Sequence, residues 1–270
     1  MLEKELEIAM HAAREAGTRI EHYVEEGFTV SYKGDNSHVT EADQASDRCI
    51  SSILRKVFPE DGILTEETEE SHKSPGRTNK ERIWIVDPLD GTEDFTLGTG
   101  LYAVHIGLAI QGETILGVVY SPTHKVMYSA VKGQGAYANS ERMHVGNTDN
   151  ISEAALVVSR KTSRNGLGEL VQRMPTKDKY ISGSCGLKMC GIADPEKRTA
   201  VGERQYDVFF CKGDKEWDTC APQIILEEAG GKVTDFLGNL LTYNKVDVYN
   251  RNGVLATNGK IHEQALAYLR

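Results

Sequence analysis

No stretch of the 270-residue chain approaches the roughly 18 to 20 consecutive apolar residues needed to cross a bilayer, so no membrane-spanning helix is expected. The opening Met1-Leu2-Glu3-Lys4-Glu5-Leu6 is charged and amphipathic and lacks the apolar core of a secretory signal, which makes a cytoplasmic location the expectation. Cysteine is scarce. Cys49, Cys185, Cys190, Cys211 and Cys220 are odd in number and contain no C-x-x-C pair, which argues against a disulfide framework or a zinc ribbon and leaves them as small buried hydrophobes. Positive charge is in the minority: 31 Lys and Arg stand against 40 Asp and Glu, a net −9 that argues against nonspecific binding to a nucleic-acid polymer. A nucleotide substrate stays open, because a metal site needs its own excess of carboxylates and reverses the local sign when loaded. Repeats, low-complexity tracts and heptad runs are also missing. What remains is 39% hydrophobic and 26% charged, the balance of a globular protein long enough for one large domain or two.

The most informative stretch is Trp84-Ile85-Val86-Asp87-Pro88-Leu89-Asp90-Gly91-Thr92. The apolar, β-branched run 83–86 suits a strand buried on both faces, and Pro88, which cannot donate to a ladder, predicts its end. Asp87 and Asp90 then stand three apart across a turn and can converge on one hard cation, with the Leu89 carbonyl as a third oxygen ligand. Gly91 allows a phosphate to approach the backbone, and if Thr92 opens a short helix its amide points at an anion. The same residues would also serve as an ordinary acidic turn after a core strand.

Other acids follow the same logic. Ile63-Leu64-Thr65-Glu66-Glu67 is a second apolar strand ending in carboxylates, and Glu216-Trp217-Asp218-Thr219 opens an apolar helical pattern stopped by Gly230-Gly231. Asp218 at that helix start has a plainer reading as a partner of the helix dipole. Asp43 shares the ambiguity, since Thr40-Glu41-Ala42-Asp43 is also a capping-box pattern for the helix through Ile50, Ile53 and Leu54. Elsewhere, 2–24 reads as an amphipathic helix, 71–80 as an exposed loop, and 102–110, 114–120 and 125–131 as successive antiparallel strands. Residues 147–150 are the expected boundary between 1–148 and 149–270, because alternation of strand and helix begins there: strands at 155–159 and 206–211, helices at 167–174, 187–192 and 218–229. Pattern alone predicts a mixed α and β fold.

In their order, Asp43, Glu66-Glu67, Asp87-Pro88-Leu89-Asp90-Gly91-Thr92, Trp217-Asp218 and Gly230-Gly231 resemble the lithium-sensitive, magnesium-dependent phosphomonoesterases, which include inositol monophosphatase, fructose-1,6-bisphosphatase and the 3'(2'),5'-bisphosphate nucleotidases. The resemblance spans almost the whole chain. Within the superfamily, residues 34–43 are similar to the K-x-D-N-S-P-V-T-x-A-D opening of bacterial nucleotidases, and Trp217-Asp218-Thr219-Cys220-Ala221-Pro222 with 230–235 and 253–257 is similar to the C-terminal part of the animal ones.

The resemblance implies an α+β fold, a five-layer αβαβα sandwich, with a 1–148 half carrying most metal ligands and a 149–270 half carrying Asp218 and the substrate loop. It implies two or three Mg²⁺ ions. Glu66, Asp87 and the Leu89 carbonyl would hold one, and Asp87, Asp90 and Asp218 a second. Asp43, Glu66 and Thr92 would activate water, while the Gly91 and Thr92 amides and Asp90 meet the substrate. Residues 182–188 resemble the S-G-S-S-L-K substrate loop with one residue extra, which makes Ser182, Gly183, Ser184 and Lys188 substrate-binding candidates. Arg160 is another, although Thr162 stands where nucleotidases carry a histidine. Lys188, and Lys197, Arg198 and Arg204 in the 194–204 insertion, have the plainer reading of solvated charges. The implied partner is a small phosphorylated molecule, with no nucleic-acid polymer and no membrane. The implied activity is conversion of adenosine 3',5'-bisphosphate to AMP, with inositol polyphosphates as further substrates. The alternatives are a phosphatase with the same metal site acting on inositol monophosphate or a sugar phosphate, and a silent metal-binding homologue.

Overall fold

The computed structural model describes residues 2–34, 37–68, 72, 76–160, 162, 166–194 and 205–269. Asp35 and Asn36 of the nucleotidase-like opening, residues 71 and 73–75 of the 71–80 loop, Lys161 and residues 195–204 of the insertion lie outside the described residues.

Helix α1 (Glu3–Glu26) buries Ala9, Ala12, Ala13, Ala16 and Ile20, a stripe at helical spacing, and packs beside α2 (Glu41–Val57). A short hairpin, β1 (Val30–Tyr32) and β2 (His38–Thr40), joins them. A seven-stranded sheet follows, formed in sequence order by β3 (Gly62–Thr65), β4 (Arg82–Asp90), β5 (Ala103–Ile110), β6 (Glu113–Ser121), β7 (Val126–Val131), β8 (Ala136–Ala138) and β9 (Glu141–Arg142). Only the β3–β4 pair is parallel. The five-residue α3 (Thr92–Thr96) sits directly after β4.

The second sheet runs in the order β11-β10-β12-β14-β13, with β10 (Ala155–Val158), β11 (Asp178–Ile181), β12 (Val208–Cys211), β13 (Lys232–Thr234) and β14 (Val254–Thr257). Its helices are α4 (Gly168–Arg173), α5 (Cys185–Ala193), α6 (Glu216–Glu228) and α7 (His262–Leu269). Val119 and Tyr128 of the first sheet, residues of α5 and α6, and Val157 and Phe209 of the second sheet share one core. A second core joins α1 and α2 to the outer face of the first sheet, and a third joins α7 and partly buried side chains of α4 to the outer face of the second. The layers are therefore αβαβα, the fold of the resemblance.

Strand β4 shows why an unbroken apolar run was needed. Trp84 and Val86 point into the α1–α2 core, whereas Ile83 and Ile85 point at Trp217 and Cys220 of α6. The strand does not end at Pro88 as its chemistry predicts; it continues to Asp90 through a bulge, Asp87 pairing with His105 and Asp90 with Ala103. Proline is tolerated because a bulged residue owes the ladder no donor. The extra residue has a consequence for side-chain direction. Residues three apart on a regular strand face opposite sides, and one inserted residue returns Asp87 and Asp90 to the same side. Close approach of α6 to this sheet requires Gly117, where a Cβ would stand 2.3 Å from the Ala221 carbonyl oxygen.

Candidate active site

The bulge, the start of α3, the loop into α5 and the start of α6 meet around a cavity of about 510 Å³. The Glu66 amide extends the parallel β3–β4 pairing by donating to the Val86 carbonyl at 3.2 Å, which sets Glu66 beside Asp87. Carboxylate oxygens of Asp87, Asp90 and Asp218 all lie within 4.8 Å of one another. Among the described residues neither Asp87 nor Asp218 forms an ion pair. Burial, then the charges of Glu66, Asp90 and Asp218, push the Asp87 carboxyl well above the ordinary range, and burial with Asp214, Asp90 and Glu66 does the same to Asp218. Three carboxylates crowded together, two of them without an ion-pair partner among the described residues, fit a hard divalent cation by donor chemistry.

Asp90 is held differently. Burial alone would raise it, but the His105 imidazole, the Lys188 ammonium and the Ser184 hydroxyl together hold it down at about 2. Ser184 Oγ donates to Asp90 Oδ2, the Gly186 amide donates to the same oxygen at 3.0 Å, and His105 Nε2 lies 3.1 Å from it without the alignment of a hydrogen bond. Gly186 is obligatory here, because a Cβ would fall 2.1 Å from His105 Nε2.

Asp43 and Asp218 are both third residues of their helices. Asp43 Oδ2 accepts the Thr40 amide at 2.7 Å and the Thr40 hydroxyl at 2.6 Å, while Oδ1 faces the Thr92 hydroxyl at 2.9 Å. Asp218 Oδ2 accepts the Lys215 amide. The Thr92 hydroxyl is also 3.1 Å from the Leu89 carbonyl, and Gly91, at φ 90°, turns the chain into α3. Burial raises the Asp43 carboxyl in spite of its Thr40 contacts. Glu66 stands outside the three-acid group and pairs with Lys33 at 2.8 Å; the same ammonium reaches Glu67 at 2.6 Å.

Of the residues singled out in the sequence, Glu66, Asp87, Leu89, Asp90, Gly91, Thr92, Arg160, Ser182, Gly183, Lys188 and Asp218 line the cavity. Asp43 stands behind Thr92. Ser184 does not reach the cavity: it is fully buried and supports Asp90. The Arg160 guanidinium donates twice to Asp94 Oδ1, at 3.1 and 3.2 Å, and the Lys188 ammonium donates to the Gly183 carbonyl above the Phe209 ring. His105, Asp94 and Asp214 escaped sequence reasoning. The available signal for His105 was a lone imidazole between Val104 and Ile106 in a strand otherwise apolar on both faces.

A family model described as the inositol monophosphatase family matches residues 1–270. The chain is 33% identical over 241 residues to "Nus factor SuhB" of Pasteurella multocida, covering 86% of this chain and 85% of that one. It is 31% identical over 246 residues to "Inositol monophosphatase 2" of Solanum lycopersicum, covering 88% and 89%. The solved inositol monophosphatase of Anabaena (Nostoc) sp. PCC 7120 superposes with a TM-score of 0.78 at 29% identity, over 99% of this chain and 96% of that one. A phosphatase-type acid cluster at a strand bulge, in a chain matched from end to end, places this protein in the inositol monophosphatase family.

Proposed function

We propose that the protein is a Mg²⁺-dependent phosphomonoesterase that hydrolyses a small polyol monophosphate, of the inositol phosphate class, by direct attack of water. The observation that carries this reading is the three-acid group and Thr92 on one cavity, with Asp43 bonded to Thr92 from behind. With it goes the division into a 1–148 half holding most ligands and a 149–270 half contributing Asp218.

Glu66, Asp87 and the Leu89 carbonyl would hold one ion, and Asp87, Asp90 and Asp218 a second. When bound, Mg²⁺ neutralises phosphate oxygens and makes water acidic enough to lose a proton near neutral pH. The chain's own contribution is to position the phosphate and carry the proton. Thr92 Oγ, donating its hydrogen to Asp43 Oδ1, has lone pairs to accept hydrogen from a water in the cavity, so a proton leaving that water passes to Thr92 Oγ as the Thr92 proton moves to Asp43. Burial makes Asp43 the more basic for that purpose. The Gly91 and Thr92 amides at the bend are the donors for phosphate oxygens.

A polyol monophosphate is preferred over a nucleoside bisphosphate because the cationic groups assigned to a second phosphate are already engaged within the chain, Arg160 by Asp94 and Lys188 by the Gly183 carbonyl. The tomato relative bears the inositol monophosphatase name. The bisphosphate nucleotidase reading has one observation in its favour: Ser182, Gly183 and Lys188 of the nucleotidase-like loop do line the cavity. Phosphate release with Mg²⁺ from inositol 1-phosphate, adenosine 3',5'-bisphosphate, fructose 1,6-bisphosphate and AMP, with and without Li⁺, tests both. Preference for inositol 1-phosphate supports the proposal, preference for the adenosine bisphosphate replaces it with the nucleotidase, and release from none removes the enzymatic reading.

A further inference from the structure

His72 is not among the residues that line the cavity, yet in each half of the chain it touches the residue just before a proposed metal ligand. Its Nε2 donates to the Thr65 carbonyl at 2.6 Å, and Thr65 ends β3 and precedes Glu66. Its ring stacks on that of Trp217, with 4.9 Å between centroids and 23° between planes, and Trp217 precedes Asp218 in the first turn of α6. Both contacts are themselves fixed: Thr65 is fully buried and pairs with Val86 of β4, and Trp217, 2% exposed, shares a core with Leu64, Ile83 and Ile85. Burial lowers the His72 pKa against the pull of the Thr65 carbonyl, and the Lys215 and Arg77 charges lower it further, so at neutral pH the stacked ring is the neutral imidazole. Arg77 makes a second crossing to the later half. Its buried guanidinium donates to Asn244 Oδ1 at 2.8 Å and to the Lys245 carbonyl at 2.7 Å. The Glu216 carboxylate accepts the Asn244 and Lys245 amides at 2.7 and 2.8 Å, so the residue that opens α6 grips the loop that Arg77 holds.

We infer that His72 is a positioning residue, whose hydrogen bond to Thr65 and stack on Trp217 set the separation between Glu66 and Asp218 and so the fit of the acids to Mg²⁺. The inference rests on the metal reading above and names the side chain that keeps ligands of the two halves in register. Glu66 follows the end of a strand and Asp218 stands at the start of a helix in the other half, so no single element fixes their spacing. Mg²⁺ demands near-ideal octahedral geometry and penalises an error in that spacing. A ring held at its edge by a donor bond and at its face by stacking has little freedom left, so it transmits position instead of absorbing it. Because His72 stands outside the cavity lining, its effect falls on metal affinity and not on the activation of water, which belongs to Thr92 and Asp43.

The test compares calorimetric binding of Mg²⁺ alone, tryptophan emission and Mg²⁺-dependent phosphate release in the wild type, in His72→Ala and in His72→Phe, which keeps a ring on Trp217 but loses the donor. For His72→Ala the expected result is an increase of about tenfold in both the calorimetric Kd and the Mg²⁺ activation constant, with kcat at saturating Mg²⁺ within about threefold of the wild type. His72→Phe should fall between the two. Emission should change in His72→Ala, where Trp217 loses its stacked neighbour, and a spectrum identical to the wild type would mean that the stack is absent in solution and overturn the inference. Unchanged Mg²⁺ binding in folded His72→Ala overturns it as well, whatever the melting temperature, because a merely structural contact would lower that temperature alone. A lower kcat at saturating Mg²⁺ with unchanged binding overturns it in favour of a role in the chemical step. A wild type that binds no Mg²⁺ instead removes the metal reading itself, before any variant is compared.

Discussion

Acidification should loosen the packing of α7 on the five-stranded sheet through one imidazole. His262 is 1% exposed and lies between two hydroxyls, with Nε2 2.9 Å from Thr234 Oγ1 and Nδ1 3.0 Å from Thr257 Oγ1. The Thr234 hydroxyl already donates to the Asp235 carbonyl at 2.8 Å, so it must accept from Nε2–H. Thr257 Oγ1 accepts the Gly259 amide at 3.1 Å and is left to donate to Nδ1. The network therefore assigns the neutral tautomer protonated on Nε2, and a proton added at Nδ1 would meet another donor. Burial, then the Lys232 charge, lowers the His262 pKa from 6.5 to about 4. A depressed base stabilises the folded state above the unfolded pKa of 6.5, and that stability is lost as pH falls through the folded value of about 4. At about 1.4 kcal/mol per pH unit the displacement is worth about 3 kcal/mol, of which about 2 kcal/mol is gone by pH 5. Urea unfolding at pH 7.5, 6 and 5 measures it. His262→Gln should cost about 1–2 kcal/mol at pH 7.5 through its two altered hydrogen bonds, and by pH 5 the difference should shift by about 2 kcal/mol in the variant's favour, leaving it as stable as the wild type or more so. Raised carboxyls such as Asp87 act with the opposite sign but are common to both chains and cancel in the difference. A gap that stays constant across this range would refute the assignment.

Asp87→Asn and Asp218→Asn should each lower Mg²⁺-dependent phosphate release by at least about two orders of magnitude with the fold kept, since each removes a ligand charge; near wild-type turnover in a folded variant would exclude that residue as a ligand. Asp43→Ala should lower kcat by about 10²–10⁴ with little change in the Mg²⁺ activation constant, as expected of a proton acceptor acting through Thr92, whereas a pure metal-affinity defect would make Asp43 a ligand. Gly186→Ala forces the His105 ring away from Asp90; thermal melting should report about 1–3 kcal/mol of destabilisation, and the Mg²⁺ requirement should rise about tenfold. An unchanged requirement would mean that His105 does not support Asp90.

Much of this molecule was legible because its signals are local. Apolar runs separated by turn residues marked β5, β6 and β7, and the alanine-rich stripe marked α1. Local rules also account for the misreading of β4. Proline ends a ladder in most settings, and nothing within a few residues of Pro88 announces that β5 will accommodate an extra residue by pairing Asp90 with Ala103. Ser184 is a substrate candidate only through the likeness of 182–188 to the S-G-S-S-L-K loop, and nothing local reveals that its partner is Asp90, 94 positions away. His105 and Asp214 depend on equally distant neighbours. The clustered acids Asp87, Asp90 and Asp218 were legible because each ends or opens an apolar segment, whereas the groups that orient them are chosen by tertiary contact alone.

Asp43 and Asp218 show that the plain and the functional readings of an acid at a helix start are not rivals. Each stands at the third helical position, and each spends Oδ2 on the backbone amide of the residue before its helix. That bond restrains the side-chain torsions and leaves the second carboxylate oxygen free of the helix backbone, with less rotational freedom to lose on meeting a partner. The cap thus supplies the preorganisation that the proposed chemistry calls for, and the apolar stripe behind it supplies the anchorage. On α2 this anchorage comes from Ile50 and Leu54, and on α6 from Trp217, Cys220 and Ile224. A capping acid elsewhere on a protein surface has the same local pattern and no function. What distinguishes these two is what they face: the Thr92 hydroxyl at Oδ1 of Asp43, and for Asp218 the carboxylates of Asp87 and Asp90, which one bulge in β4 has turned to the same side.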